Sequence, residues 1–165
     1  MSKPAEALTI EQIVDIMQWK SHEIIRIGRK QIYDTPIGRI YYRGSKNFKL
    51  SNKNWWYSIN PEIVIDEQVD FLCLATDYIG ILLIPSKKFL EYRKHNKIGK
   101  VKSGGEDFSV VKEGSSLIRR ESKCQDWNIT EFFISVNSRK SPTPLHKCGE
   151  LIKSVVSKIT NATKS

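Results

Sequence analysis

Three residues of this sequence, Asp70, Glu121 and Lys123, are of the types that metal-dependent nucleases use to hydrolyse phosphodiester bonds. Carboxylates hold Mg²⁺, and a neighbouring lysine helps to orient or deprotonate the attacking water. Asp70 stands at the head of the apolar run VDFLCLAT (69–76), and Glu121-Ser122-Lys123 places an acid two residues before a lysine. Together they form a candidate site for a small Mg²⁺-dependent endonuclease.

The sequence around this candidate site disagrees with the pattern that such an enzyme needs. In PD-(D/E)xK endonucleases the (D/E)xK triplet lies on the hairpin partner of the strand that carries the first Asp. Here the partner run is ILLI (81–84), which offers no metal ligand, and the ExK triplet follows only after a Gly-rich stretch. One ExK triplet in a Lys/Glu-rich chain is close to chance. We therefore predict no catalytic residue, metal or cofactor, and keep the PD-(D/E)xK-like endonuclease with Mg²⁺ as an alternative.

The other reactive residue types are scattered. The three histidines (22, 95 and 146) are far apart, and the three cysteines (73, 124 and 148) form no CxxC pair, which argues against a zinc site and a disulfide framework. Cys73 lies inside an apolar run and is predicted to be an inert core thiol. No run reaches the roughly 18 apolar residues of a membrane span, and the polar start MSKPAEALTIEQ does not read as a secretory signal, so we expect a cytoplasmic protein.

The net charge is +9, and it is unevenly distributed. Residues 21–50 carry seven Lys/Arg against two acids, and residues 81–110 carry seven against three. Between them, residues 51–80 hold one Lys against five acids. Two basic segments of this kind favour a polyanionic partner.

Aromatic residues interleave with the cations of the first basic segment, a mixture suited to phosphates and bases. We predict a DNA-binding module whose partner is DNA, expected to be double-stranded. RNA-binding and protein-interaction modules stay open as alternatives. The predicted contacts are Arg26, Arg29, Lys30, Arg39, Tyr41, Tyr42, Arg43, Lys46, Trp55, Trp56, Lys87, Lys88, Arg93 and Lys94.

Hydrophobic spacing predicts the helices that must position these residues. Thr9 and Gln12 form a capping-box pattern at the start of a first helix. Ser86 is expected to be the N-cap of a second helix that reaches about His95. A third helix is predicted over 147–160, where apolar residues recur at helical spacing.

The strands are predicted from alternation and from continuous apolar runs. Residues 23–43 predict two strands joined by a turn, and NWWYSI (54–59) predicts a third. Side chains alternate along a strand, so one of Tyr41 and Tyr42, and one of Trp55 and Trp56, should lie in the core. VDFLCLAT and IGILLIP (79–85) are expected to be central strands buried on both faces. WNITEFFISV (127–136) fits either a strand or a short helix.

These elements predict the α+β class: a twisted, mostly antiparallel sheet or partly open barrel flanked by N- and C-terminal helices. The length of 165 residues predicts one nucleic-acid-binding domain, with a core over about 9–136, a linker over 137–146 and the C-terminal helix after it.

The order of a leading helix, basic strands, NWWYSI, VDFLCL, GILLIP and SKKFLEY resembles the N-terminal DNA-recognition domains of restriction systems. It is similar in particular to target-recognition domains of McrB-type enzymes, some of which are B3-like barrels, and to degenerate nuclease-like domains. The resemblance covers roughly residues 25–135 as a pattern and carries no residue role with it. It implies a recognition module of a restriction or defence system that works with further domains or subunits.

Overall fold

A computed structural model describes residues 7–45, 54–76, 79–96 and 104–136, together with Ser157. Within these ranges the chain forms three α-helices and ten β-strands, and none of the helices is long and apolar enough to cross a membrane. The helices are α1 (Ile10–Ile16), α2 (Pro61–Asp66) and α3 (Ser86–His95). The strands are β1 (Ile25–Arg26), β2 (Ile32–Thr35), β3 (Gly38–Ser45), β4 (Asn54–Ile59), β5 (Phe71–Thr76), β6 (Gly80–Pro85), β7 (Glu106–Glu113), β8 (Ser116–Arg119), β9 (Trp127–Asn128) and β10 (Phe133–Ser135).

Helix α1 begins at the predicted capping box. The hydroxyl of Thr9 accepts a hydrogen bond from the Gln12 N–H at 3.3 Å, and the Gln12 side chain accepts one from the Thr9 N–H at 2.8 Å. Ile13, Val14 and Ile16 are buried, so the helix lays its apolar stripe on the sheet. The prediction of this helix and its cap is confirmed.

Six strands form a mixed sheet in the order β1-β2-β3-β5-β6-β10. β3 and β5 run parallel, with Ile40 beside Phe71 and Ser45 beside Thr76, while the other pairs are antiparallel. Every residue of β5 and β6 is buried, because the sheet is covered on both faces at its centre. The two apolar runs are therefore the central strands that the sequence predicts.

The other four strands form an antiparallel sheet in the order β4-β7-β8-β9. Trp55, Tyr57 and Ile59 of β4 are buried on its inner face, as the alternation predicts. The two sheets are tied where the Tyr57 hydroxyl donates to the Ala75 carbonyl oxygen at 3.0 Å. The chain alternates between them, since β4 follows β3 of the larger sheet and precedes β5, and β7 to β9 lie between β6 and β10.

Two helical details differ from the prediction. Helix α2 was not predicted; Asn60 caps it by accepting the Glu62 N–H at 3.0 Å, and Pro61 occupies its first turn. Ser86 is not an N-cap, because Pro85 holds that position and the Ser86 N–H donates to the Asp70 carbonyl oxygen at 2.9 Å.

Residues 127–136 combine both predicted alternatives. Strand β9 is followed by a 3-10 turn over Thr130–Phe132 and then by β10, which pairs with β6. The predicted linker and the C-terminal helix over 147–160 lie outside the described residues, apart from Ser157. The α+β class and the mostly antiparallel pairing are confirmed, and the described strands form two sheets that do not close into a barrel.

Candidate nucleic-acid interface

Asp70 has a structural partner at the start of β5. Its Oδ2 accepts a hydrogen bond from the backbone N–H of Arg39 at 2.8 Å. This bond joins the beginning of β3 to the beginning of β5. Gly38 makes this approach possible: its φ is +124°, and a Cβ there would lie 2.6 Å from the same oxygen. The Asp70 carboxylate therefore holds two strands together.

The other two residues of the nuclease alternative, Glu121 and Lys123, lie between β8 and β9, two strands of the four-stranded sheet. Glu121, just after β8, forms an ion pair with Arg119 at 2.5 Å, and Lys123 lies in an exposed turn with φ +71°. Within the described ranges, no three His, Cys, Asp or Glu residues are grouped so that they could hold a metal ion. Asp70 and Glu121 thus have separate partners, and the Mg²⁺-dependent alternative stays a prediction.

Three of the predicted phosphate contacts are paired with acids. Lys30 Nζ lies 2.5 Å from Glu67, Arg39 lies 2.7 Å from Asp34, and Arg93 lies 2.7 Å from the buried Glu106. The hydrogen bond from Arg39 holds the pKa of Asp34 below its ordinary value, and the bond to Glu67 raises the pKa of Lys30. Glu67 of the acidic stretch therefore neutralises one cation of the first basic segment, while Asp34 and Glu106 neutralise cations from within the two basic segments themselves.

The lysines of α3 lie on a surface of mixed sign. Lys87 and Lys94 border a groove of about 560 Å³ whose apolar lining includes Ile65, Val69 and Leu90. Glu91 lines the same groove, and Lys88 lines a neighbouring one. This face of α3 carries cations, but α2 beside it contributes the exposed acids Glu62 and Asp66.

Arg26 and Arg29 lie at the turn that joins β1 and β2. The Arg26 guanidinium donates to the Arg29 carbonyl oxygen at 3.3 Å. Arg26 also lines a groove of about 340 Å³ together with Glu11 and Asp15 of α1. Both arginines are exposed, and Arg26 has acids of α1 as neighbours.

Of the four predicted aromatic contacts, the structure leaves one open to solvent. Tyr41 and Trp55 are only 4% and 3% exposed, so they are core residues with no ring face for a base, and their predicted role is corrected on that ground. Tyr42 is half-buried, and its hydroxyl donates to the Leu8 carbonyl oxygen at 2.6 Å, while burial raises its pKa. Trp56 is 50% exposed.

Trp56 lies on the outer face of the four-stranded sheet, at its β4 edge. Ser109 of β7 is its cross-strand partner, and its own N–H donates to the Ser45 Oγ at 2.9 Å. Arg43 precedes Ser45 by two residues and so shares its face of β3; its guanidinium carbon lies 6.0 Å from the Tyr41 ring centroid. No ion pair joins Arg43 to a carboxylate of the described residues.

The α3 surface and Trp56 lie on opposite sides of the four-stranded sheet. Helix α3 packs on the inner face, where Phe89 contacts Phe108 at 6.1 Å between ring centroids and Tyr92 stacks on Trp127 at 5.0 Å. Trp56 faces outward from the same sheet. The predicted contact set is therefore divided between two surfaces, which alternation alone could not reveal.

The positive charge of the chain is concentrated outside the described residues. The described residues contain 14 of the 27 Lys and Arg but 15 of the 18 Asp and Glu, so they carry no positive surplus. The surplus lies in sequence outside them, where the predicted contact Lys46 also falls. Residues 46–53 hold three lysines and no acid, and residues 137–165 hold six Lys/Arg and one acid.

Three breaks in the described chain begin at one end of the six-stranded sheet. Ser45 pairs with Thr76, Thr76 with Gly80, and Gly80 with Ser135, so the described chain enters residues 46–53, 77–78 and 137–165 from one row of strand ends. Trp56 is bonded to that row through Ser45. Sequence reasoning could have weighted this end more heavily, because Lys49 and Lys53 flank the same strand as Trp56.

The chain matches no protein-family model, and no curated protein or solved structure is significantly similar to it.

Proposed function

We propose that this chain is a DNA-binding recognition module. It contacts DNA at the end of the six-stranded sheet that contains Ser45, beside Trp56 of the four-stranded sheet. The observation that carries the proposal is the half-exposed indole of Trp56, held on β4 by its bond to Ser45. On the adjoining strand, Arg43 forms no ion pair with a carboxylate of the described residues. Residues 46–53, which lie between the two strands in sequence, contain three lysines. Cations bind the phosphates, and the aromatic ring contacts a base.

The pairing of other cations supports this choice of surface. Lys30, Arg39 and Arg93 would have to leave carboxylate partners to bind phosphates, which reduces the gain from each contact. Arg43 has no carboxylate partner among the described residues that it would have to leave.

Salt dependence of binding tests the proposal. Fluorescence anisotropy with a labelled DNA oligonucleotide should show that affinity falls steeply as salt rises, because neutralised phosphates release counterions. Replacing Lys46, Lys49 and Lys53 by Gln should weaken binding and reduce the slope of log K against log[salt] by about 3, roughly one for each lost phosphate contact.

A triple variant with the same change of charge provides the matched control. Lys87→Gln, Lys88→Gln and Lys94→Gln together remove three cations from α3, on the opposite side of the four-stranded sheet, and should leave affinity within about twofold, since screening limits distant charges. If the α3 variant loses binding and the first variant does not, the interface is on α3. If no DNA binds at low salt, the proposed function is wrong.

We further propose, from the resemblance to restriction-system recognition domains, that the module reads DNA for a restriction or defence complex. Plain and methylated oligonucleotides of one sequence, compared at two salt concentrations, test this. A preference for one of them that persists at the higher salt supports base readout, and equal binding to both contradicts the recognition of this modification.

A further inference from the structure

Trp56 is presented by a rigid element. β4 pairs with β7 along all six residues from Asn54 to Ile59, and the buried Trp55 on the other face fixes the orientation of the strand. The backbone N–H of Trp56 is bonded to Ser45 Oγ. The indole is therefore preorganised, and little conformational entropy is lost when a ligand covers it.

Two serines border the ring on the outer face of the sheet, and Asn54, opposite Val111, flanks it on the other side along β4. Ser109 lies directly across the pair, and Ser58 lies two residues along β4 on the same face. Asp107 is opposite Ser58, but its Oδ1 is buried, so that oxygen does not face an approaching phosphate. Half of Trp56 is exposed, so a flat group can reach the indole from solvent.

A base pair inside a duplex does not present such a flat group. Both faces of a stacked base are covered by its neighbours, whereas an unpaired base offers its face to an aromatic side chain. Strand β3 adjoins Trp56 through Ser45, so a nucleic-acid strand on this face can keep a phosphate toward Arg43 of β3.

We infer that Trp56 stacks an unpaired base and that the site prefers single-stranded nucleic acid over a duplex. This inference rests on the proposed function and refines its substrate class. The hydroxyls of Ser58 and Ser109 border the stacked base, and Arg43 and the overall charge of +9 attract the backbone.

A comparison of strand states tests the inference. A fluorescein-labelled 15-mer of deoxythymidine, which does not self-pair, and a 15-base-pair duplex are titrated with the wild-type chain and with Trp56→Ala. We expect tighter binding of the single strand, with a loss of about 5- to 140-fold on it for Trp56→Ala and less than about twofold on the duplex. A deoxyuridine 15-mer and a uridine 15-mer carry the same base and differ at the 2′ position, so equal affinity for the two assigns recognition to the base and the phosphates.

Two further variants keep the test decisive. Trp56→Phe retains a ring, so it should recover most of the single-strand affinity and should also remove any quenching of tryptophan fluorescence that the oligonucleotide causes. Ile65→Ala shortens an equally exposed apolar side chain on α2, 56% exposed, and should change neither affinity. An equal loss on both strand states, or no loss with Trp56→Ala, overturns the inference while DNA binding stands. Failure of the wild type to bind either ligand overturns both.

Discussion

Arg119 offers the sharpest test of how α3 is held on the four-stranded sheet. It is fully buried, and it lies between the rings of Tyr92 and Phe108 at 5.0 and 5.4 Å. Its guanidinium donates to Glu121 at 2.5 Å, to the Asp107 carbonyl oxygen at 3.1 Å and to the Tyr92 hydroxyl at 3.2 Å. Arg119→Ala leaves these acceptors without their donor and opens a cavity between the rings.

Breaking a buried pair from one side costs about 3–5 kcal/mol, because the remaining charge stays buried without compensation. At about 2–4 °C for each kcal/mol in a chain of this size, the midpoint of thermal unfolding should fall by about 6–20 °C. Calorimetry or circular dichroism measures the shift. Arg119→Met with Glu121→Gln, which keeps the apolar stem and removes the facing charge, should lose less than Arg119→Met alone.

The neighbouring arginine supplies the control. Arg120 pairs with Glu113 and Asp126 at the surface, with 41% of its side chain exposed, so Arg120→Ala should lower the midpoint of thermal unfolding far less than Arg119→Ala does. Equal and small losses for Arg119→Ala and Arg120→Ala would show that the buried cluster does not stabilise the fold as described.

Three other expectations follow from single sites. Gly38→Ala should destabilise by more than Gly114→Ala in urea unfolding, since both have positive φ but a Cβ meets the Asp70 carboxylate only at Gly38; similar losses would contradict that contact. Because the folded-state pKa of Asp34 lies below its unfolded value, its stabilisation is present above about pH 4 and is lost as the pH falls through the folded pKa. Asp34→Asn should therefore reduce the acid-induced loss of unfolding free energy between pH 6 and pH 2, and an unchanged loss would refute this. Burial raises the pKa of the Cys73 thiol to about 12, so iodoacetamide should modify the partly exposed Cys124 well before Cys73 in the native protein, as peptide mass spectrometry can show.

Local signals were enough to predict the elements that form by local rules. The capping box at Thr9 and Gln12 acts within one turn, and the two continuous apolar runs can only be buried strands or a buried helix. Helix α2 was missed because six residues give too short a period to recognise, although Asn60 followed by Pro61 is a start signal.

The candidate interface was harder to predict because pairing partners are distant in sequence. Glu67 meets Lys30 from 37 residues away, and Glu106 meets Arg93 across the α3–β7 connection. From sequence, Arg119 is expected to be a basic surface residue. Leu117 and Ile118 are both apolar, so their alternation does not indicate which face of β8 is buried. Which of the two adjacent tryptophans faces solvent likewise depends on where the second sheet packs.

Because the chain alternates between the two sheets, the two sheets are expected to unfold together. β4 is inserted between β3 and β5, and the segment from β7 to β9 is inserted between β6 and β10, so neither sheet is a continuous piece of the polypeptide. A protease cut in one connection cannot release either half as an autonomous fragment. We expect denaturation in a single transition that tryptophan fluorescence and far-ultraviolet circular dichroism follow with the same midpoint.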